Sequence, residues 1–118
     1  DGAHNSNGVE ALRESLVALF PGEKFHFIMG VMADKDYETM IGELLPLAID
    51  FTTCTVECER ALQADALAGC IRRKGIAAAS ADDFASCFQR GRLDETHRTV
   101  AFGSLYFIGE IEALFEAK

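Results

Sequence analysis

Nowhere does this sequence read G-x-x-x-x-G-K-[S/T] or G-x-G-x-x-G. The chain therefore has no phosphate loop of its own with which to cradle a triphosphate. It also lacks any apolar run near the roughly 18 residues a membrane span requires, and it carries no signal-peptide pattern. Positive charge is scarce, with 11 Lys+Arg against 19 Asp+Glu and a formal net charge of −8. That balance argues against a nucleic-acid or anionic-membrane partner, because phosphate binding needs a Lys/Arg footprint. The single basic run, Arg72-Arg73-Lys74, falls just before Gly75, where positive charge complements the C-terminal end of a helix.

Cysteine is present but unorganised. Cys54 and Cys58 are four apart, without Cys-x-x-Cys spacing and without a second matching pair, so a zinc site is not indicated. Cys70 and Cys87 fall on the apolar faces of predicted helices, where free cysteine behaves as a small hydrophobe. The pattern is that of a reduced, cytoplasmic protein. At 118 residues, 49% hydrophobic and 25% charged, the chain fits one ordinary globular domain with a single core.

What is present is an alternation of two periodicities. Val9, Leu12, Leu16, Leu19 and Phe20 recur at helical spacing from about residue 8 to 20, where Pro21-Gly22 stops the run. Residues 24–31 (KFHFIMGV) are short, aromatic-rich and mostly apolar, as expected of a buried parallel strand. Asp36 is positioned to cap a second helix carrying Tyr37, Met40, Ile41, Leu44 and Leu45, followed by a strand at 49–53. A third helix is expected over 64–74, with Gly75 at its C-terminal cap, then a weak strand of small residues at 76–79. Asp82 or Asp83 should start a fourth helix running through Phe88. A last strand is expected at 98–102 and a last helix from Ser104 to about Glu116. Asp1 reads as the end of a further strand whose upstream residues are absent. The alternation implies an α/β fold: an open, mainly parallel sheet with helices on both faces.

In such sheets small ligands bind at the edge where strands lead into helices, because helix N-termini present free N–H groups there. Polar residues at those junctions are the candidates. Asp1, at a strand's C-terminal end, can accept two hydrogen bonds from a ribose diol, or it can merely cap a helix. His4 follows in the same turn and can stack on a base, contact a carboxylate, or lie on the surface. Lys35 stands at a helix start, where the dipole disfavours it, so either a carboxylate ligand explains its placement or it is an exposed lysine. Ser104, after Gly103, can bind an anion with its hydroxyl and neighbouring N–H groups, or act as an N-cap. His26, in mid-strand, and His97, in a polar loop, read as structural or surface residues. No Ser/His/Asp or Cys/His nucleophile set is apparent, so no residue is assigned a catalytic role.

Four blocks carry a resemblance: Asp1-Gly2-Ala3-His4-Asn5; Gly30-Val31-Met32-Ala33-Asp34-Lys35-Asp36-Tyr37; Arg60-Ala61-Leu62; and Gly103-Ser104-Leu105-Tyr106-Phe107-Ile108-Gly109-Glu110. In this order and spacing they resemble the C-terminal domain of folylpolyglutamate synthase/dihydrofolate synthase, a branch of the Mur ligase superfamily. The resemblance implies a Rossmann-like Mur ligase C-terminal domain over 1–118, its first strand truncated. It further implies a part in an ATP-dependent C–N ligase that phosphorylates a carboxylate of dihydropteroate or a folate. The amino group of L-glutamate then attacks the acyl phosphate. ATP and Mg2+ would be held mainly by a larger N-terminal ATPase domain, and the isolated chain would be inactive. Asp1 would hold the ribose and His4 would lie beside both nucleotide and glutamate. Lys35 and Ser104 would receive glutamate carboxylates, and Tyr106 would line that pocket. The parent is expected to be a monomer, with no nucleic-acid or membrane partner. Two positions depart from the family pattern: Ser6 and Glu59 stand where the family usually or often has proline.

Two other readings stay open on the residues alone. One is the C-terminal domain of another Mur-type amide ligase, against which Gly103-Ser104-Leu105-Tyr106 speaks. The other is a non-catalytic α/β binding module such as a receiver-like regulator. A receiver needs a phosphorylatable Asp after its third strand, and Phe51-Thr52-Thr53-Cys54 offers none.

Overall fold

The computed structural model describes residues 6–56, 59–92 and 94–103. The order of elements is helix α1 (Ser6–Leu19), strand β1 (Phe25–Gly30), helix α2 (Tyr37–Leu44), a 3-10 turn (Leu45–Leu47), strand β2 (Ala48–Thr53), helix α3 (Ala64–Arg73), strand β3 (Ala77–Ser80), helix α4 (Phe84–Arg92) and strand β4 (Arg98–Gly103). The strands form one sheet in the order β3-β2-β1-β4, and every pairing is parallel. The expected strand ending at Asp1 and the expected helix from Ser104 lie outside the described residues.

Strand pleating separates two apolar layers. Phe25, Phe27 and Met29 of β1, Phe51 of β2, and Val100 and Phe102 of β4 share one face. Helices α1 (Val9, Leu16), α2 (Met40, Ile41, Leu44) and α3 (Leu67, Cys70, Ile71) cover that face. Parallel register sets Phe27 beside Phe51, and their ring centroids are 5.4 Å apart. Phe102 meets Phe27 edge-on at 5.7 Å, the arrangement that opposes a ring's positive edge to a negative face. Intervening positions face the other way: Ile28, Met32, Cys54 and Val56 pack with Cys87 and Phe88 of α4. Helices thus cover both faces, as the alternation of periods required.

Local chemistry sets the boundaries. The Asp36 side chain accepts from the Thr39 N–H at 3.4 Å and starts α2. Pro46 falls in the first turn of the 3-10 segment, where its missing N–H costs nothing. Asp83 accepts from the Ser86 N–H at 2.8 Å ahead of α4. Gly75 closes α3 at φ +93°, its N–H donating to the Arg72 carbonyl at 2.9 Å. This is the left-handed position that favours glycine after a helix.

Two expectations need correction. Helix α4 continues to Arg92 rather than ending near Phe88. The residues it adds, Gln89-Arg90-Gly91-Arg92, include no apolar side chain, so apolar spacing carries no signal there. Leu19 was assigned to the buried stripe of α1 but is 69% exposed. It lies at the flank of that stripe, in the last turn, where Pro21-Gly22 turns the chain away.

Thr99 of β4 is buried, and its hydroxyl has no hydrogen-bond partner among the described residues. A buried unsatisfied hydroxyl costs about 1–3 kcal/mol. The near-isosteric Thr99→Val is therefore expected to leave stability unchanged or raise it by about 1 kcal/mol, read as an unfolding midpoint by circular dichroism. A loss larger than 1 kcal/mol would mean that the hydroxyl is partnered in solution.

Candidate functional site

Because all strands run parallel, their C-terminal ends share one edge of the sheet, and those of β1 and β4 lie side by side. The last residues of these strands, Gly30 and Gly103, are register partners. Gly103 has φ +107°, and a Cβ built there would come within 2.3 Å of the Gly30 carbonyl oxygen. Only glycine allows this approach without displacing the backbone of β1.

The chain leaving β1 is fastened by one of the sequence blocks. Met32 forms an antiparallel bridge with Ala61. The Ala33 N–H donates to the Arg60 carbonyl at 2.7 Å, and the Leu62 N–H to the Val31 carbonyl at 2.9 Å. The Arg60 guanidinium donates to Asp34 at 2.9 Å, an exposed pair worth at most about 1 kcal/mol. Arg60-Ala61-Leu62 therefore acts as a backbone clamp on residues 31–34. Sequence spacing carried no sign of this, because the two blocks lie far apart in the chain and meet only through the fold.

Lys35 follows directly. Its N–H donates to the Met32 carbonyl at 3.1 Å and its own carbonyl accepts from the Tyr37 N–H at 2.9 Å, so its backbone is fixed. The side chain is half-buried. Asp34 and Asp36 flank it, yet Asp34 is engaged by Arg60 and Asp36 by the Thr39 N–H. Among the described residues the Lys35 ammonium has no ion pair. A half-buried cation carried on a hydrogen-bonded backbone beside the N-terminus of α2 can attract an anion such as a carboxylate. The other sequence-predicted site residues, Asp1, His4, Ser104 and Tyr106, lie outside the described residues. Gly103, which precedes Ser104, is on the same edge as the segment that carries Lys35.

Cys54, Cys70 and Cys87 are buried thiols. Cys87 donates to the Thr53 carbonyl at 3.5 Å, and a hydrogen bond from its thiol outweighs burial and the nearby Asp83 to lower the pKa of Cys54. Cys58 lies outside the described residues.

The opposite edge of the sheet holds a cluster that sequence reasoning took apart. His26, second residue of β1, has Asp50 of β2 as its register partner. Its Nδ1 lies 2.8 Å from Asp50 Oδ1 and its Nε2 2.8 Å from Asp94 Oδ2. His97 Nδ1 also lies 2.8 Å from Asp94 Oδ2. Burial pulls the His26 pKa down, but the bonds to Asp94 and Asp50 and their charges outweigh it, so the net shift is upward. Asp94 is held well below the usual carboxylate range, first by the Thr96 hydroxyl, then by His26, the Thr96 N–H and His97. The readable signals were a charged Asp50 inside an apolar strand and the Asp94-x-x-His97 spacing; the long-range join to His26 was not readable.

Residues 1–105 match the family model of the Mur ligase glutamate ligase domain. The chain belongs to this family. The dihydrofolate synthase/folylpolyglutamate synthase of Bacillus subtilis is 28% identical over 94% of this chain, which spans 26% of that relative's length. A crystal structure of Mycobacterium tuberculosis folylpolyglutamate synthase, complexed with ADP and AMPPCP, superposes with a TM-score of 0.83 at 25% identity. The match covers 98% of this chain and 28% of that one. The bifunctional folylpolyglutamate synthase/dihydrofolate synthase of Yersinia pestis, complexed with AMPPNP and Mn ion, gives a TM-score of 0.77 at 19% identity, covering 98% of this chain and 28% of that one. Nucleotide and metal thus accompany structures of this fold. Among the described residues of this Mur ligase domain, no helix is long and apolar enough to cross a membrane.

Proposed function

We propose that this Mur ligase domain is the C-terminal, glutamate- and nucleotide-facing domain of an ATP-dependent ligase that joins L-glutamate to dihydropteroate or a folate. The observation that carries this reading is Lys35: backbone-fixed, clamped by the Arg60-Ala61-Leu62 block, and without an ion pair among the described residues. A carboxylate oxygen of the pteroate or folate attacks the γ-phosphorus of ATP and ADP leaves. The glutamate amine then attacks the acyl carbon, and phosphate departs with the former carboxylate oxygen.

In this scheme Lys35 holds a carboxylate of the incoming glutamate and so positions its amine. Ser104 and Tyr106 complete that pocket, Asp1 takes the ribose hydroxyls, and His4 lies between nucleotide and glutamate. Among the described residues at this edge there is no set that fits Mg2+: the carboxylates of Asp34 and Asp36 are already engaged and form no donor set. The ion and the ATP phosphates are therefore assigned to a larger N-terminal ATPase domain, consistent with the missing phosphate loop. The buried thiols suit a reducing, cytoplasmic setting, and the parent is taken as a monomer.

The test uses the full-length protein with dihydropteroate or tetrahydrofolate labelled with 18O in the carboxylate. Glutamate-dependent ATP consumption with label appearing in the released phosphate is expected. No glutamate-dependent turnover with either acceptor would remove the assignment. The 118-residue chain alone should form no amide; if it does, the division of labour between domains is wrong.

A further inference from the structure

We propose that His26, Asp94 and His97 form a binding site for a divalent transition-metal ion of the Zn2+ class, at the sheet edge opposite Lys35. Three ligand atoms converge there: His26 Nε2 and His97 Nδ1 both lie 2.8 Å from Asp94 Oδ2. One donor atom from each residue lies within 4.8 Å of the other two. A tetrahedral shell with bonds of about 2.0–2.1 Å sets its ligand atoms roughly 3.3 Å apart. Small side-chain rotations therefore open the cluster around an ion. Two imidazoles and one carboxylate suit Zn2+, Cu2+ or Ni2+ and not the hard, oxygen-seeking Mg2+.

The surroundings support the ligands as a built site would. His26 is fixed on β1 between β2 and β4. Asp50 Oδ1, 2.8 Å from His26 Nδ1, accepts the proton on that nitrogen and leaves Nε2 to face the ion. This carboxylate–imidazole–metal relay sets both tautomer and ring orientation. Asp94 is oriented through its other oxygen, which accepts the Thr96 N–H at 2.9 Å and the Thr96 hydroxyl. The ion would be open to solvent, since the His97 side chain is 41% exposed, which leaves a fourth position for water. Bound there, it would tie residues 94–97 to β1 and fix the start of β4.

The experiment titrates Zn2+ into the full-length protein by calorimetry, without nucleotide and in a non-chelating buffer. Co2+ serves as a visible spectroscopic probe of the ligand set. Asp50→Asn is expected to weaken Zn2+ binding about 10- to 100-fold through lost support of His26. His97→Ala, which removes a ligand, should weaken it more and abolish the matching Co2+ absorption. His97 sits in an exposed loop, so this variant should fold; its far-ultraviolet dichroism and thermal midpoint without metal check that. If His97→Ala is misfolded, Asp50→Asn decides in its place. Absence of Zn2+ binding, or binding of equal strength in the unaltered protein and these variants, overturns the site and leaves a metal-free hydrogen-bond network.

Discussion

Replacing Lys35 with alanine in the full-length protein is expected to raise the apparent KM for glutamate roughly ten- to a hundredfold while leaving that for ATP little changed. The loss corresponds to one charge-assisted hydrogen bond to a carboxylate, about 1.5–3 kcal/mol. The protein fold should survive, because the bonds that hold residues 31–37 run through the backbone and through Arg60, not through the Lys35 side chain. Ser104→Ala should act in the same direction but less, since a neutral hydroxyl donor is worth about 0.5–1.5 kcal/mol. Asp1→Ala should instead raise the KM for ATP. Initial rates measured with each substrate varied in turn separate these patterns. An unchanged glutamate dependence in Lys35→Ala makes the residue a surface lysine and removes the proposed pocket.

Gly103→Ala is expected to destabilise the chain by about 2–6 kcal/mol, from two additive causes. A side chain at φ +107° costs on the order of 1–3 kcal/mol. The new Cβ would also stand 2.3 Å from the Gly30 carbonyl oxygen, which belongs to a paired strand and cannot swing aside. Overpacking of that kind typically costs about 1–3 kcal/mol. Against a typical domain stability of about 5–15 kcal/mol, this should lower the thermal midpoint by roughly 10 °C or more. Gly22→Ala is the internal control, because Gly22 has φ +81° but nothing within 4 Å of an added Cβ. It should show the conformational cost alone. Equal losses at both positions would mean that close approach of β1 and β4 is not what requires glycine at 103. The consequence reaches the proposed pocket, since this contact sets how closely the last residues of the two strands approach.

Much of the fold was legible because burial imposes a period on the chain. A strand covered on both faces must be mostly apolar, as residues 25–31 are apart from His26, and a helix on a sheet must repeat its apolar residues at helical spacing. Those constraints act locally, so β1, α2 and α3 and the Asp36 cap could be read from the residues themselves. The fourfold set of sequence blocks carried the family, and with it Lys35 as a candidate. Helix ends stayed hidden, as the extra turn of α4 and the exposed Leu19 show, because one turn holds too few residues to define a period.

Sequence alone determined the α/β alternation, the net negative charge, the lack of a phosphate loop and the placement of Lys35 before α2. Tertiary structure decided the strand order, the clamp of Arg60-Ala61-Leu62 on residues 31–34, the contact of Gly103 with Gly30, and the meeting of His26 with Asp50, Asp94 and His97. The physical reason is one of range. Propensity, capping and amphipathic period are settled between residues a few positions apart. Register, close backbone approach and convergent side chains depend on which strands become neighbours, and that is fixed only when the whole core closes.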